Sequence, residues 1–437
     1  MDISDFKEKT HSRQTRICVI GLGYVGLPLA LAFVRVGFTV TGLDVSPRKV
    51  ELLRSAKSDV DDVPDHEIGD VVHNGSFKPT KDYSVLVDQD VVIICVPTPL
   101  SKTKEPDLSF IASAVDGLKQ HLHTGQLIIL ESTTYPGTTD EFVLPMLEEV
   151  GLKVGIDFCL AFSPERIDPG NTQYQLRNIP KIVGGITPIC NDIAATLYQQ
   201  IIDQIVPVSC TRTAEMVKIL ENTFRSVNIG LVNETAMICD KLGVDVWETI
   251  EAAATKPFGY IPFYPGPGLG GHCIPIDPHY LSWKLKTLDY NTRFIALASE
   301  VNSNMPYHVV TKVVDTLNEA EKSVKGSNIL ILGVAYKPDI GDVRESPAID
   351  IIEILELKGA NVSYHDPHIA EIPLKDDQTI NSMELTINTL QHADCVVIVT
   401  NHRVYDMQFI VDQAQAVVDT RNATKGLTKG QEKVTKL

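Results

Sequence analysis

Short, almost wholly apolar runs recur along the chain, and they limit the fold more than any other feature. Two of them are Asp90-Val-Val-Ile-Ile-Cys-Val96 and Gln126-Leu-Ile-Ile-Leu130, with helical patterns between them. Strands that are buried on both faces have this continuous apolar character, because neither face meets water. The runs therefore predict an α/β fold in which helices cover both faces of a parallel sheet.

The first such run, residues 16–20, leads directly into a glycine-rich turn and then into a helical pattern. Between a strand and a helix, glycines at this spacing allow a tight turn and let backbone N–H groups approach a pyrophosphate. The turn therefore predicts a dinucleotide-binding site. Its residues are Gly21, Leu22, Gly23, Tyr24, Val25 and Gly26.

An acidic residue, Asp44, ends the next predicted strand. A carboxylate at this place, about 20 residues after the glycine turn, accepts hydrogen bonds from the adenosine ribose. Because Asp44 would repel a 2′-phosphate, the predicted cofactor is NAD rather than NADP. Arg48 or Lys49 is a further candidate contact for the ribose or the phosphates, and the sequence leaves the choice between them open.

Two threonines, Thr98 and Thr133, follow the strands predicted at residues 90–96 and 126–130. Ligands of open α/β sheets lie beyond the carboxyl ends of the strands, so both threonines are predicted to lie near the cofactor. Either threonine could instead be the N-cap of a following helix.

A loop rich in glycine and proline, residues 263–278, surrounds Cys273. Four glycines and two prolines precede the cysteine within this loop. Such a run forms neither a helix nor a central strand, because glycine is conformationally too free and proline lacks a backbone donor. The sequence therefore predicts a shaped loop that presents a functional thiol, and we call it the Cys273 loop.

A long helical pattern begins near Arg212 and continues toward Leu242. It places Lys218 and Asn222 on one face, because residues four apart in a helix are neighbours. The pattern is longer than an ordinary helix of about 11 residues, and it has apolar residues on several sides. We therefore expect this helix to pack against a second subunit in a homodimer or higher homo-oligomer.

The strand–turn–helix pattern returns at residues 327–337, and further predicted strands follow up to Asp419. The glycine turn of this second copy, at Gly333, lacks the full fingerprint. The prediction is thus two Rossmann-like, doubly wound parallel-sheet domains joined by a central helical domain with a long helix. The predicted boundaries are residues 1–210, 211–310 and 311–437.

Composition excludes several classes of partner. The net charge of −17 argues against a nucleic acid or an anionic membrane as partner. No apolar run reaches membrane-spanning length, and the polar N-terminus does not resemble a signal peptide. The eight cysteines include no Cys-x-x-Cys pair, which favours buried thiols in a reducing cytoplasm. The histidine pairs offer too few ligands for a metal site.

Taken together, these stretches resemble the UDP-glucose/GDP-mannose dehydrogenase family over essentially the whole chain. The motifs that carry the resemblance are Gly21-x-Gly-x-x-Gly26, Ser132-Thr133, Pro164-Glu165, Glu215-x-x-Lys218-x-x-x-Asn222, Gly270-Gly-His-Cys273 with Asp277, Gly333-x-Ala-Tyr-Lys337 and Arg344-Glu-Ser. The resemblance implies that the chain oxidises C6 of a nucleotide sugar from an alcohol to a carboxylate with two NAD molecules.

The resemblance also implies roles for individual residues. Cys273 would be the catalytic thiol. Lys218 and Asn222 would be catalytic too, and Asp277, Glu165 and Thr133 would handle water. Arg344 would reach NAD across a subunit boundary. The implied substrate contacts are Glu165, Arg166, Lys218, Asn222, Tyr264, Gly270, His272 and Lys337.

These residue types suit the chemistry. A thiolate can capture an aldehyde as a thiohemiacetal, which loses a second hydride to give a thioester. Lys218 and Asn222 can stabilise the developing oxyanion, and Asp277 or Glu165 can orient or deprotonate the water that cleaves the thioester.

Resemblance within the family favours the branch that uses UDP-N-acetylhexosamines, because His272 stands where the UDP-glucose enzymes typically have serine. UDP-N-acetylglucosamine is the first expected substrate, and the product would supply surface polysaccharide synthesis. UDP-N-acetylmannosamine, UDP-N-acetylgalactosamine and UDP-glucose are the alternatives. Two other functions stay open: a two-electron β-hydroxyacid dehydrogenase, which needs no thiol, and a nucleotide-sugar sensor, which would lack a catalytic group.

Overall fold

The computed structural model describes residues 3–60, 63–101, 105–167, 174–271, 273–374 and 379–437. The chain forms two compact units. The first consists of Met1–Glu221 and His279–Tyr290, and the second consists of Asn222–Pro278 and Asn291–Leu437. The division falls inside one long helix, α8 (Thr211–Leu242). The three predicted domain boundaries stay a prediction.

The first unit is built on a sheet of eight strands within the described residues, in the order β3-β2-β1-β4-β5-β6-β7-β8. Neighbouring strands are parallel except β6 and β7, which run antiparallel. The strands are β1 (Ile17–Ile20), β2 (Val40–Leu43), β3 (Phe77–Thr80), β4 (Val91–Ile94), β5 (Leu127–Leu130), β6 (Cys159–Phe162), β7 (Lys181–Gly185) and β8 (Ile205–Val208).

Helices cover both faces of this sheet. Alternate residues of β1 enter two different apolar clusters: Ile17 and Val19 pack in one, and Cys18 and Ile20 in the other. Because side chains alternate along a strand, this pattern shows that the strand is buried on both faces. The helices of this unit are α1 (Ile3–His11), α2 (Gly26–Arg35), α3 (Pro47–Arg54), α4 (Asp65–His73), α5 (Ser109–Lys119), α6 (Leu144–Glu148) and α7 (Pro188–Tyr198).

The second unit has a parallel sheet of five strands among the described residues, in the order β10-β9-β13-β14-β15, and a separate antiparallel pair, β11 and β12. The strands are β9 (Asn328–Leu332), β10 (Asn361–His365), β11 (Glu371–Pro373), β12 (Thr379–Asn381), β13 (Cys395–Ile398), β14 (Val417–Asp419) and β15 (Val434–Lys436). The remaining helices are α9 (Val246–Ala254), α10 (Asp277–Lys286), which the unit division also crosses, α11 (Arg293–Glu319), α12 (Pro347–Leu357), α13 (Ile387–His392) and α14 (Met407–Gln413).

The predicted α/β class, with two Rossmann-like sheets and a long central helix, is confirmed. One detail differs from the prediction of parallel sheets: the first sheet contains one antiparallel pair of strands, β6 and β7. Strand β7 was not predicted, since it starts with Lys181 and ends with two glycines, residue types that are depleted in strands. None of the described helices is both long and apolar enough to span a bilayer.

Candidate active site

The three glycines of the turn between β1 and α2 have different surroundings: two are closely packed and one faces open space. Gly21 has a φ of +90°, and a Cβ there would collide with the carbonyl of Cys95. A Cβ on Gly26, where α2 begins, would overlap the carbonyl of Gly21. A Cβ on Gly23 would meet no atom within 4 Å. The turn is therefore held tight by two glycines and left open at the third, as a pyrophosphate site requires.

Asp44 lies beside this turn, just beyond the end of β2. Its Oδ2 accepts a hydrogen bond from the backbone N–H of Leu22 at 2.9 Å, and its Oδ1 accepts one from Ser46 N at 2.9 Å. The carboxylate thus joins the end of β2 to the glycine turn. A carboxylate has further lone pairs beyond these two bonds, and these can accept from a ribose hydroxyl.

The two basic candidates after Asp44 differ in their surroundings. The Nζ of Lys49 forms an ion pair with Asp59 at 2.6 Å, and only 17% of the lysine side chain is exposed. Arg48 is exposed. Of the two cations, Arg48 is therefore the one whose charge is accessible to a ligand from solvent.

The two threonines lie at the same edge of the sheet, because β4 and β5 are parallel neighbours. Thr98 is buried and Thr133 is half-buried. The helical segments that follow them have Leu108 and Gly137 as N-caps, so neither threonine has the alternative capping role. The hydroxyl of Tyr280, which is buried, donates a hydrogen bond to the backbone carbonyl of Thr98.

A buried charge cluster lies close to this edge. The Nζ of Lys181 is 3.0 Å from Oε1 of Glu131 and 3.7 Å from Oε2 of Glu165, and the lysine side chain is only 4% exposed. The hydroxyl of Tyr198 donates to the same Oε1 of Glu131, and Lys181 Nζ lies 5.0 Å from the centre of the Tyr198 ring. One cation therefore faces two carboxylates inside the protein.

Burial sets the protonation of this cluster. Burial would lower the pKa of Lys181, but Glu131 and Glu165 outweigh it and raise the pKa above its usual value. Burial raises the pKa of Tyr198 well above the usual value, and the charge of Glu131 raises it further. Lys181 is thus a cation and Tyr198 a neutral hydrogen-bond donor at neutral pH.

Glu165 is fixed at both its backbone and its side chain. Its Oε1 accepts hydrogen bonds from the backbone N–H groups of Arg166 at 2.6 Å and Ile167 at 2.5 Å. Its backbone carbonyl accepts a hydrogen bond from Nζ of Lys218 at 2.6 Å. Arg166 in turn forms an ion pair with Glu221 at 2.6 Å. Glu165, Arg166 and Lys218, three predicted site residues, are therefore brought together in the first unit.

Glu215 joins helix α8 to the turn after β5. The carboxylate is fully buried and accepts hydrogen bonds from Gly137 N at 2.6 Å, Thr139 N at 2.9 Å and Thr139 Oγ1 at 2.7 Å. Burial raises its pKa to about 7, and the bonds from Thr139 and Gly137 oppose that rise. Glu215 belongs to the motif Glu215-x-x-Lys218-x-x-x-Asn222, but no role was predicted for it from the sequence.

The Cys273 loop belongs to the second unit, where its glycines pack against Tyr336. A Cβ on Gly270 would lie 2.6 Å from Cβ of Tyr336, and a Cβ on Gly271 would lie 2.8 Å from the Tyr336 ring. The backbone N–H of Gly271 donates to the carbonyl of Arg344 at 3.0 Å. These close approaches exclude side chains at both positions, which explains the paired glycines before Cys273.

Cys273 itself is half-buried and lies one turn before helix α10. Its backbone carbonyl accepts a hydrogen bond from Asp277 N at 2.8 Å. Asp277 is buried, and its Oδ2 accepts a hydrogen bond from Nδ2 of Asn222, which is also buried. Arg225 donates to the other end of the Asn222 amide. The predicted residues Cys273, Asp277 and Asn222 thus lie in one hydrogen-bonded region of the second unit.

Other predicted contacts of the second unit are more exposed. Tyr264 stacks on Trp247 with ring centres 6.1 Å apart, and Lys337 is half-buried. Arg344 is exposed, and its guanidinium binds Asp342 of the same chain at 2.7 Å. The remaining predicted contact, His272, lies outside the described residues.

Arg421 was missed by the sequence analysis. Its Nε donates to the carbonyl of Val399 at 3.0 Å, and its Nη1 would lie 2.6 Å from a Cβ on Gly266 in the Cys273 loop. Burial lowers its pKa to about 10, and Asp419 opposes that change. The residue is therefore a cation beside the loop. An arginine just after the carboxyl end of a parallel strand, β14, is the signal that could have revealed it.

One cluster resembles a metal site, since donor atoms of Asp339, His368 and His402 lie within 4.8 Å of one another. However, Nδ1 of His402 accepts a hydrogen bond from Asp339 N at 3.0 Å, and Nε2 is bonded to Asp366 at 3.0 Å. Both ring nitrogens are therefore engaged, and the cluster is a hydrogen-bond network.

Comparison with protein families covers most of the chain in three consecutive parts. Residues 15–202 match the NAD binding domain of the UDP-glucose/GDP-mannose dehydrogenase family. Residues 212–304 match the central domain of that family, and residues 330–426 match its UDP binding domain.

Named relatives agree with this match. A UDP-N-acetyl-D-mannosamine dehydrogenase from Methanococcus maripaludis is 36% identical over 400 residues, which is 89% of this chain and 87% of the relative. A UDP-N-acetyl-D-glucosamine 6-dehydrogenase from Pseudomonas aeruginosa is 34% identical over 360 residues, 82% of this chain and 84% of the relative. The solved structure of a UDP-D-ManNAc dehydrogenase from Pyrococcus horikoshii has a TM-score of 0.86 and 34% identity, and it covers 95% of this chain and 97% of that chain. The chain therefore belongs to the UDP-glucose/GDP-mannose dehydrogenase family and is an NAD-dependent UDP-sugar dehydrogenase.

Proposed function

We propose that this protein oxidises C6 of a UDP-N-acetylhexosamine to the carboxylate, in two hydride transfers, through a covalent intermediate on Cys273. The observation that carries the proposal is the Cys273 loop, whose glycines pack so closely on Tyr336 that the loop has a defined shape. A dehydrogenase that stops after one hydride needs no thiol on such a loop. Two NAD molecules, bound in turn, would each accept one hydride.

The glycine turn and its neighbours are the proposed NAD contacts. The open space over Gly23 accommodates a pyrophosphate close to the N-terminus of α2, and the N-terminus of a helix favours an anion. Asp44 binds the ribose, and Arg48 is favoured over Lys49 because Asp59 already engages the lysine. Thr98 and Thr133, at the carboxyl edge of the sheet, complete the set, with Arg344 as a contact contributed by a partner subunit.

Lys218 and Asn222 are proposed to stabilise the negative charge that develops on the substrate oxygen. They lie one turn apart on α8 and both are buried, so their donors act at low dielectric, where hydrogen bonds to an oxyanion are strong. An ammonium group has three N–H donors, and the carbonyl of Glu165 accepts one of them.

Glu165, Asp277 and Thr133 are proposed to hold and activate the water that cleaves the thioester. Two backbone N–H groups bind Oε1 of Glu165, so one oxygen of its carboxylate is held in place before substrate arrives. Among the described residues no hydrogen-bond donor reaches Oε2, and this buried oxygen is an acceptor suited to a water.

The proposed contacts of the UDP-sugar include two cations of the second unit. Lys337 and Arg421 supply positive charge suited to a diphosphate, and Arg421 lies against Gly266 of the Cys273 loop. The further proposed contacts are Glu165, Arg166, Lys218, Asn222, Tyr264, Gly270 and His272.

The N-acetylhexosamine class is supported by the named relatives, which act on N-acetylated UDP-sugars. Within the class, UDP-N-acetylglucosamine is the substrate expected from the sequence. UDP-N-acetylmannosamine is the second candidate. The relative named for this sugar is 36% identical over 400 residues, whereas the relative named for UDP-N-acetylglucosamine is 34% identical over 360 residues. Surface polysaccharide synthesis is the proposed use of the product.

A homodimer is proposed from the surface of α8. Phe224, Leu231, Ile238 and Leu242 are 46%, 59%, 50% and 70% exposed, and their spacing of seven, seven and four puts them on one helical face. An apolar stripe of this kind on a soluble helix marks an interface, and a second copy of the chain would cover it.

The test of the mechanism is Cys273→Ser, assayed with NAD and UDP-N-acetylglucosamine, UDP-N-acetylmannosamine, UDP-N-acetylgalactosamine and UDP-glucose. We expect the wild type to form uronate from an N-acetylated sugar. The serine variant should bind that sugar but lose uronate formation, because a serine hydroxyl is a far weaker nucleophile than a thiolate. Full uronate formation by the variant would contradict the proposal. A protein that binds UDP-sugars and oxidises none of them would be a sensor instead.

A further inference from the structure

Lys181 occupies an unusual place for a lysine, at the first residue of β7 and almost wholly inside the protein. Removing an ammonium group from water is unfavourable unless partners compensate for the loss. The partners here come from two other strand ends, since Glu131 follows β5 and Glu165 follows β6. The lysine thus joins the carboxyl ends of strands that are far apart in sequence.

The two carboxylates make different contacts with this cation. Glu131 Oε1 is 3.0 Å from Nζ and also accepts the hydrogen bond from Tyr198, so Glu131 anchors the lysine. Glu165 Oε2 lies 3.7 Å from Nζ, beyond hydrogen-bond distance, so the attraction there is mainly between charges. The carbonyl of Pro164, next to Glu165, also faces Nζ at 3.5 Å.

These contacts determine how Glu165 is oriented. Its Oε1 is fixed by two backbone N–H groups, and its Oε2 faces Lys181. Without the cation, Glu131 and Glu165 would be two buried carboxylates with nothing between them to offset their repulsion. Two like charges in such a site repel each other, so we expect Glu165 to turn away from Glu131 when the cation is removed.

We propose that Lys181 is a positioning residue for thioester hydrolysis, which keeps the carboxylate of Glu165 oriented toward the attacking water while Glu131 and Tyr198 hold Lys181 in place. This inference rests on the proposed function. In the step concerned, a water oxygen forms a bond to the acyl carbon and the C–S bond breaks. The electron pair of that bond leaves with the sulfur of Cys273, and Glu165 accepts one water proton.

The test is Lys181→Met, which keeps much of the side-chain volume and removes the charge. We expect kcat to fall roughly 100-fold, the scale on which a general base contributes, with little change in KM for the UDP-sugar. The two hydride transfers should stay fast, so rapid mixing should give a burst of two NADH per active site before a slow steady state. Intact-protein mass spectrometry should then detect the acyl-enzyme, which a merely structural defect would not accumulate.

Three further variants sharpen the test. Lys181→Arg keeps the charge and should restore most of the hydrolysis rate. Lys181→Gln repeats the charge removal with a polar side chain, in case the methionine variant is insoluble. Lys312→Met is the matched control, because Lys312 is also largely buried and paired with one carboxylate, Asp240, and it should leave the kinetics unchanged.

The proposal is overturned if Lys181→Met slows the hydride steps as much as the hydrolysis, or if it leaves hydrolysis at the wild-type rate. A crystal structure of the variant gives a readout that does not depend on activity, and the carboxylate of Glu165 should be turned from its wild-type position. An unmoved Glu165 would overturn the proposal. A wild type that reduces no NAD with any UDP-sugar would instead refute the proposed function.

Discussion

Glu215 illustrates how a single buried side chain can connect two parts of the first unit. It accepts three hydrogen bonds from the turn after β5, and it lies one turn before Lys218 on α8. The carboxylate therefore sets the distance between the turn that carries Thr133 and the helix that carries the lysine. A residue in this position acts through the geometry of its neighbours.

Burial of Glu215 predicts a dependence of stability on pH. Its pKa rises from 4.5 to about 7 on folding, so the folded state holds the proton more tightly than the unfolded state does. The contribution of this group to stability is therefore full below pH 4.5 and is lost as the pH rises through 7, by roughly 3 kcal/mol at most. We expect the melting temperature of the wild type, relative to Glu215→Gln, to decrease as the pH rises from 5 to 8. A constant difference over that range would contradict this account.

At the scale of single elements, replacement of glycine by alanine in the turn between β1 and α2 should impair cofactor binding at Gly23 and thermal stability at Gly26. Gly23→Ala places a methyl group in open space and should leave the melting temperature unchanged. It should weaken NAD binding by at least about tenfold, or about 1.4 kcal/mol, because the methyl group takes the space of the pyrophosphate. Titration calorimetry with NAD measures this loss. Tight NAD binding by the variant would show that the pyrophosphate lies elsewhere.

Gly26→Ala is the matched comparison within the same turn. Its methyl group would overlap the backbone carbonyl of Gly21, which cannot move without opening the turn. We expect a clear loss of thermal stability even without cofactor. A melting temperature equal to that of the wild type would mean that the turn is looser than its contacts indicate.

The exposed apolar residues of helix α8 predict that two copies of the chain form a dimer. Leu231 is 59% exposed in the middle of the apolar stripe, so Leu231→Glu should place a charge in the subunit interface and dissociate the dimer. Leu357→Glu is the control, because that leucine is 88% exposed at the end of a different helix, α12. Light scattering coupled to size exclusion should give a monomer for the first variant and a dimer for the second. A wild type that is monomeric at every concentration would contradict the proposed interface.

At the scale of the whole molecule, the wholly apolar strands could be predicted from the sequence, and polar strands such as β7 could not. Val91–Ile94 and Leu127–Leu130 are buried at every residue, so their composition alone reveals them. Strand β7 begins with Lys181, whose burial depends on carboxylates from other strands. Nothing in the local sequence indicates those partners, and the antiparallel turn of the sheet at β7 was missed for the same reason.

The candidate site, too, has parts that a local sequence pattern reveals and parts that depend on tertiary contacts. The motifs around Gly21 and Cys273 stand out in the sequence because their glycines are needed for close backbone approach. The contact between Asn222 and Asp277, and the position of Arg421 against Gly266, depend on tertiary packing. A linear pattern therefore identified the chemical groups of the site, but the hydrogen bonds that orient those groups required the folded structure.

The number of NADH molecules formed for each UDP-N-acetylhexosamine consumed tests directly whether Cys273 holds the aldehyde between the two oxidations. Purified protein is incubated with excess NAD and a limiting amount of the sugar, and NADH is read by its absorbance while the sugar and uronate are quantified by chromatography. We expect two NADH for each uronate, because the aldehyde stays bound to Cys273 until the second hydride has left. One NADH for each sugar, with the aldehyde released, would contradict it.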